Sequence, residues 1–252
     1  MKPLFGAQGQ RALAAVLRGQ PLLAFDFDGT LAPLVDRPEQ ARVPAALARR
    51  LARLATLRPV AIVTGRAVAD VTGRLGFTPG FVVGNHGAEF PGAPPVHDAA
   101  ALDPLRRRFQ AAAAIAATAG MQLEDKHYSL TVHFRRAPDQ AAARALADAL
   151  VADLPPGLRM VPGSMVRNVV LAQAPDKGDA VLALVARAAC DRAVFLGDDD
   201  NDESVFTKAP AGWLTARVAT DARSAAGYYL GDYASVPALL DRMLDLLGGG
   251  AA

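Results

Sequence analysis

Among its 252 residues the chain has one cysteine, Cys190. That excludes a disulfide framework and a thiolate metal cluster. With Val185, Ala188 and Ala189 around it, Cys190 reads as a small core residue. Aromatic residues make up 6% of the chain, with a single Trp. No stripe of Lys or Arg interleaved with aromatics marks a nucleic-acid surface. The 27 basic and 25 acidic residues leave a formal charge of +2, and the densest basic cluster, Arg106-Arg107-Arg108, reads as a solvated helix face. No apolar run approaches a membrane span, and Lys2 is not followed by a continuous apolar stretch of the signal-peptide kind. No nucleic acid and no membrane partner are therefore expected, and a soluble cytoplasmic protein is the default. With 52% hydrophobic and 21% charged residues, the chain can bury a sizeable core, and wholesale disorder is excluded.

Apolar runs come next. Leu22–Phe25, Val60–Val63, Phe81–Val83 and Ala193–Leu196 are short and uninterrupted, as fully buried parallel strands are. A further strand is expected near 213–218. Between them, apolar periodicity predicts helices over Arg11–Leu17, from about Pro44 to Leu57, through Val68, Val71 and Leu75, from Lys177 through Leu184, and from Val236 to Leu247. Strand, polar Gly-containing loop and helix in repetition are the signature of a parallel sheet with crossover helices. The pattern breaks between 91 and 98, where three prolines and a Gly occur. From Ala101 it becomes a helix (102–119), alternating segments at 121–126 and 128–135, an Ala-rich helix (138–154), and extended pieces at 159–161 and 165–171 around the Pro162-Gly163 turn signal. The expected fold is α/β: a Rossmann-like core over 1–100 and 173–252 with an inserted αββαββ module over 101–172. Gly248-Gly249-Gly250 reads as a frayed end.

Four loops follow core strands or open a core helix, and each is polar. They carry Asp26 and Asp28, then Thr64-Gly65-Arg66, then Lys177-Gly178, then Asp198-Asp199-Asp200-Asn201-Asp202. Taken singly each has a plain explanation: an Asp-Gly turn, a helix N-cap, a surface Lys, an exposed acidic turn. A parallel sheet brings all four to one edge, where open α/β sheets bind ligands. Residues two apart on an extended segment project the same way, so Asp26 and Asp28 are expected to point together into that crevice. Carboxylates within about 4 Å repel by roughly 4 kcal/mol per pair at an effective dielectric near 20. A hard divalent cation, Mg²⁺ by its preference for oxygen ligands and retained waters, relieves this. Lys177, and Thr64 at a helix N-terminus, then offer donors to an anion. An Asp nucleophile with Mg²⁺, Lys and Thr around a phosphoryl group makes an aspartyl-phosphate site.

These four loops resemble the four motifs of the haloacid dehalogenase superfamily over essentially the whole chain. The resemblance implies that Asp26 is the nucleophile and Asp28 the general acid/base, with Thr64 and Lys177 binding the phosphoryl group. Mg²⁺ would be held by Asp26, the backbone carbonyl of Asp28, and Asp198, with Asp199 and Asp202 as further acids of the metal loop. An acid at Asp28 favours hydrolysis over a long-lived aspartyl-phosphate, because it can protonate the leaving oxygen and then deprotonate water.

In the inserted module, Gln122, Glu124 and Lys126 alternate with Met121 and Leu123. Ser129, Thr131, His133 and Arg135 alternate with Leu130, Val132 and Phe134. One sheet face is expected to be apolar for the helices and the other polar, either as ordinary solvated surface or to meet sugar hydroxyls. Together with Asp26–Pro33, Gly84-Asn85-His86-Gly87 and Gly197-Asp198-Asp199, this run is similar to the trehalose-6-phosphate phosphatases. That resemblance implies sugar-binding roles for Glu124, Lys126, His133, Arg135 and Asn168, with Gly65, Arg66, Asn85 and His86 lining the cleft. The chain departs from the family pattern at Asn201, where Thr is usual, and at Gly163-Ser164 and Asn168, where Gly-Lys and Glu are usual. Asn168 keeps hydrogen bonding but loses a charge-assisted bond. The implied reaction is hydrolysis of trehalose 6-phosphate to trehalose and phosphate; a monomer is expected, and a trehalose-6-phosphate synthase is the candidate partner. A phosphatase for another sugar phosphate, a phosphomutase and a non-catalytic sugar-phosphate sensor are the alternatives.

Overall fold

A computed structural model describes residues 1–92, 99–163 and 165–248. Most of the 91–98 break, Ser164 and the Gly249-Gly250 end lie outside the described residues. The chain divides into two compact units, residues 1–91 with 176–252 and residues 92–175. The expected edges lay at 100/101 and 172/173. The observed C-terminal edge is later because Ala172 and Ala174 belong to the second unit's hydrogen bonding: Ala172 N–H donates to Gly157 O, and Arg159 donates to Ala174 O.

The first unit begins with β1 (Lys2–Pro3), α1 (Ala7–Leu17), β2 (Pro21–Phe25), α2 (Ala45–Leu57), β3 (Val60–Val63), α3 (Val68–Thr72) and β4 (Phe81–Val83). The second contains α4 (Asp103–Thr118), β5 (Gln122–Asp125), β6 (Ser129–His133), α5 (Gln140–Leu150), β7 (Leu158–Gly163) and β8 (Val166–Leu171), the expected αββαββ order. The first unit resumes with α6 (Lys177–Arg187), β9 (Arg192–Gly197), α7 (Glu203–Lys208), β10 (Leu214–Val218), β11 (Tyr228–Leu230) and α8 (Val236–Gly248).

Seven strands form the core sheet in the order β1-β11-β10-β9-β2-β3-β4, all parallel. Its central strands β2 and β3 are apolar on both faces because helices cover both. Leu23 and Phe25 of β2 join Leu51 and Leu54 of α2 and Leu240 and Met243 of α8 in one cluster. Leu22 and Ala24, on the opposite side of the same strand, join Val181 and Leu184 of α6 and Phe206 of α7 in another. The chain leaves β2 toward β3 and β4, then returns to β9 on the other side of β2. That reversal is a topological switch point, and it opens a crevice beyond the carboxyl ends of β2 and β9.

The second unit is a four-stranded antiparallel sheet, β5-β6-β8-β7. Leu130, Val132, Phe134 and Val169 of the sheet side are buried, as are Leu105, Phe109 and Ala143 of the two helices. Among the described residues no helix is long and apolar enough to cross a membrane.

Candidate active site

β2 ends at Phe25, and the next residue, Asp26, donates its N–H to Leu196 O of β9 at 2.9 Å, which ties the two strand ends together. The chain then bends at Phe27, which is wholly buried in the core. Gly29 follows in the left-handed region at φ +78°. A Cβ there would lie 2.1 Å from Asp198 Oδ2, so only glycine lets this loop approach the acid at the end of β9.

α6 opens with a reciprocal cap. Asp176 accepts the N–H of Asp179, and Asp179 accepts the N–H of Asp176. This makes Lys177 the first helical residue, the end where the helix dipole disfavours a cation. Carboxylates compensate for that. The ammonium, 1% exposed, donates to Asp26 Oδ1 at 2.9 Å and Asp202 Oδ1 at 2.8 Å. Asp202 Oδ2 accepts the N–H groups of Asp198 and Asp199 at 3.0 and 3.1 Å. Thr30, fully buried, donates to Asp198 Oδ1 at 3.1 Å.

Asp26, Asp198 and Asp202 each place a carboxylate oxygen within 4.8 Å of the others. One buried ammonium faces three acids. Burial pushes the Asp26 carboxyl up to about 7 from 3.8; Lys177 pulls against it, while Asp202 and Asp28 push further. Asp198 keeps some solvent contact yet is raised well above the carboxylate range, first by burial and then by Asp26, Asp202 and Asp199. Burial disfavours the Lys177 ammonium, but Asp202 and Asp26 outweigh it and hold its pKa above the ordinary 10.5. The excess negative charge fits a divalent cation. Both oxygens of Asp202 accept hydrogen bonds, whereas among the described residues Asp26 Oδ2 and Asp198 Oδ2 carry none. Asp26 and Asp198 are thus the ligands the geometry offers, and Asp202 orients them. Asp199 lies outside this group: its carboxylate caps the turn at 200–202 and accepts from Asn201 Nδ2 at 2.9 Å.

Asp26 and Asp28 do not face one partner, as simple alternation implies, because the strand ends at Phe25 and the backbone bends at Phe27. Asp28 is held by Arg66. Nε donates to Oδ2 at 2.7 Å and an Nη to Oδ1 at 2.8 Å, a bidentate pair. The same guanidinium bonds Asp70 and Pro38 O and lies over the Phe27 ring, 5.2 Å from its centre. Asp28 and Asp70 together hold the Arg66 pKa above its ordinary value against the effect of burial.

Thr64 is not at a helix N-terminus, contrary to expectation. α3 starts at Val68 after Ala67, and the Thr64 hydroxyl instead accepts the N–H of Arg66 at 3.2 Å. The Val68 N–H is taken by Glu89 at 2.7 Å, a partner sequence spacing did not suggest. The loop after β4 crosses this segment, with Asn85 N–H donating to Arg66 O and His86 N–H to Thr64 O. Asn85 and His86 both have positive φ, 47° and 60°, a cost these crossing bonds offset. A Cβ on Gly65 would come 2.4 Å from the His86 ring. Thr64, Gly65, Arg66, Asn85 and His86 thus form one packed group.

In the second unit the polar residues pair across strands. Register aligns Glu124, Thr131 and Asn168 in one row. Thr131 donates to Asn168 Oδ1 at 2.9 Å, and the Asn168 amide donates to Val161 O at 3.4 Å. His133 bonds Glu124 at 2.7 Å, and Lys126 lies 3.6 Å from Glu124. Arg135 lies past the end of β6, where its carbonyl accepts from Gln140.

The model of the trehalose-phosphatase family matches residues 24–212. The chain belongs to this family. The trehalose-phosphate phosphatase of Mycolicibacterium paratuberculosis is 35% identical over 199 residues, which are 74% of this chain and 50% of that protein. The chain therefore spans about half the length of the curated relatives it matches. Among solved structures, the C-terminal domain of Candida albicans trehalose-6-phosphate phosphatase matches 98% of each chain at TM-score 0.78 and 22% identity. The C-terminal domain of the Candida albicans trehalose synthase regulatory protein matches 96% of this chain and 99% of that one at TM-score 0.68 and 12% identity. At these identities the structural likenesses speak for the fold. The trehalose-phosphatase match covers all four loops named above and the row on β5, β6 and β8.

Proposed function

We propose that the protein hydrolyses trehalose 6-phosphate to trehalose and phosphate through an aspartyl-phosphate on Asp26. The observation that carries the hydrolytic reading is the pairing of a buried Asp26, bonded to Lys177, with a second acid, Asp28, on the same loop. The Asp26 carboxylate attacks phosphorus, and the bond to the sugar oxygen breaks as Asp28 delivers a proton to it. Asp28 then takes a proton from the water that cleaves the acyl-phosphate, which returns Asp26 as a carboxylate. Arg66 occupies both Asp28 oxygens, so each transfer requires one of these bonds to be exchanged. Lys177 offsets charge at Asp26 throughout, and Thr64 donates to the phosphoryl oxygens. Mg²⁺ held by Asp26 and Asp198 would polarise the phosphoryl group as a Lewis acid.

Residues 92–175 are assigned the sugar specificity, through Glu124, Lys126, Thr131, His133 and Asn168. The Thr131–Asn168 bond is neutral where the family pattern has a carboxylate, so selectivity here rests more on the charged Glu124 and Lys126, with His133 bonded to Glu124. Kinship in fold to a regulatory protein's domain gives the sensor reading some weight. A sensor, however, has no use for an acid at Asp28 in addition to Asp26, Lys177 and Asp198.

Purified protein with Mg²⁺ is expected to release phosphate from trehalose 6-phosphate far faster than from glucose 6-phosphate, sucrose 6-phosphate or mannosyl-3-phosphoglycerate. Equal or reversed rates would reject the substrate and leave the reaction class standing. No turnover of any phosphate ester, with trehalose 6-phosphate still bound, would favour the sensor.

A further inference from the structure

The segment Asp198–Glu203 carries acids at 198, 199, 200, 202 and 203. On one side it is bonded to Lys177 and Thr30. On the other stands a second cation, Arg217 of β10. Arg217 is 8% exposed and aligned in register with Gly197, the last residue of β9 before the acidic loop. One Nη donates to Glu203 Oε1 at 2.7 Å and to the Asp199 carbonyl at 3.4 Å; the other reaches Asp200 Oδ1 at 3.4 Å. Glu203 extends the clamp, because its other oxygen accepts the N–H of Ala225 at 2.8 Å. The carboxylates bonded to Arg217, those of Asp200 and Glu203, are not the ones grouped as candidate cation ligands. A buried guanidinium is costly unless every partner is in place, and these partners span the loop from Asp199 to Glu203.

We propose that Arg217 is a positioning residue for the cation site: it fixes the backbone at Asp199–Glu203, and through it the carboxylates of Asp198 and Asp202. The inference rests on reading Asp26 and Asp198 as Mg²⁺ ligands. It has a sign that separates it from simple electrostatics. As a bare positive charge near the site, Arg217 would repel the ion, and its loss would tighten binding. As a clamp, its loss loosens the ligands and weakens binding. Removal of groups that orient metal ligands characteristically weakens affinity by about tenfold or more. Lys cannot reproduce the fork that reaches a carbonyl and two carboxylates at once.

The test is Mg²⁺ titration by calorimetry, with Mn²⁺ binding followed by electron paramagnetic resonance, on the wild type, Arg217→Met and Arg217→Lys. Unfolding midpoints in EDTA monitor the fold. The expected result is affinity about tenfold weaker or worse in both variants while the metal-free protein stays folded. Unchanged affinity in Arg217→Lys, or tighter binding in Arg217→Met, would overturn the proposal, and Arg217→Lys decides alone if Arg217→Met fails to fold. Failure of the wild type to bind either ion would overturn the metal reading itself, and this inference with it.

Discussion

Replacing Asp26 by Asn separates what this residue does for stability from what it does for chemistry. In the folded chain the carboxyl is pushed up to about 7, against 3.8 ordinarily, chiefly by burial. The folded form therefore keeps its proton over a range in which the unfolded chain has released it. The stability this contributes is complete below about pH 4 and is lost as the pH rises through about 7. At about 1.4 kcal/mol per pH unit the loss comes to roughly 4 kcal/mol. Asn mimics the protonated acid in shape and escapes this loss. Urea unfolding in EDTA is thus expected to find Asp26→Asn more stable than the wild type at pH 8, by up to about 4 kcal/mol. The advantage should shrink to about 1 kcal/mol at pH 4.5. Saturating Mg²⁺ should narrow or reverse it, because the ion stabilises the form that binds it and Asn is a poorer ligand. Phosphate release should disappear at every pH. A variant less stable than the wild type at pH 8 without metal, or a difference that does not change with pH, would refute the charge reasoning. Near-normal turnover would refute the nucleophile.

Two further substitutions probe the neighbouring loops. Gly29→Ala places a methyl group 2.1 Å from Asp198 Oδ2 at a residue with φ +78°. The backbone alone costs roughly 1–2 kcal/mol, and the displaced Asp198 should weaken Mg²⁺ binding in the same calorimetric titration; unchanged affinity would remove Asp198 from the ligand set. Arg66→Met removes the donors to Asp28, Asp70 and Pro38 O. Because both acids are more than a third exposed, solvent screens them and the stability cost should stay near 1–2 kcal/mol. If Arg66 presents Asp28 for proton transfer, kcat for trehalose 6-phosphate should fall much more than kcat for p-nitrophenyl phosphate, whose leaving group needs little protonation. An equal fall for both would assign Arg66 to phosphate binding instead.

The central strands were legible because a parallel strand covered on both faces must be apolar at every position, as Leu22–Phe25 and Ala193–Leu196 are. The edges were not. β1 has two residues and β11 three, too few for any pattern, and they join the sheet only because β10 offers β11 a free side and β11 in turn offers one to β1. α1 starts four residues before the expected Arg11, and α5 stops at Leu150 instead of 154, since alanine-rich sequence carries little end signal and Pro155-Pro156 acts only from beyond. In the site, Asp26, Lys177 and Asp198 stood out because each follows or opens an element at the same edge of the sheet. Thr64 departs from expectation because a Thr-Gly after a strand is a common N-cap, whereas here α3 starts only after Ala67. Arg217 gave one faint signal, a charge inside the short, mostly apolar run Leu214–Val218. Its partners depend on the β9–β10 register, which spacing along the chain cannot reveal.

The two acids of the first loop are two residues apart, yet they end with different cations from different parts of the chain. Asp26 is 4% exposed and bonded to Lys177 at the start of α6. Asp28 keeps 38% of its side chain exposed and is bonded to Arg66 beyond β3. Had Asp28 also turned to Lys177, it would compete for an ammonium that already serves Asp26 and Asp202 and leave more unbalanced charge in the crevice. The bend at Phe27 prevents this, and Phe27 itself is fixed by burial and by the guanidinium lying over its ring. On the proposed mechanism this division suits the two roles. The nucleophile must stay fixed in direction, which burial and a rigid partner provide. The proton carrier must reach first the sugar oxygen and then water. A partly solvated carboxylate on a forked donor can do so by exchanging one bond while the other holds.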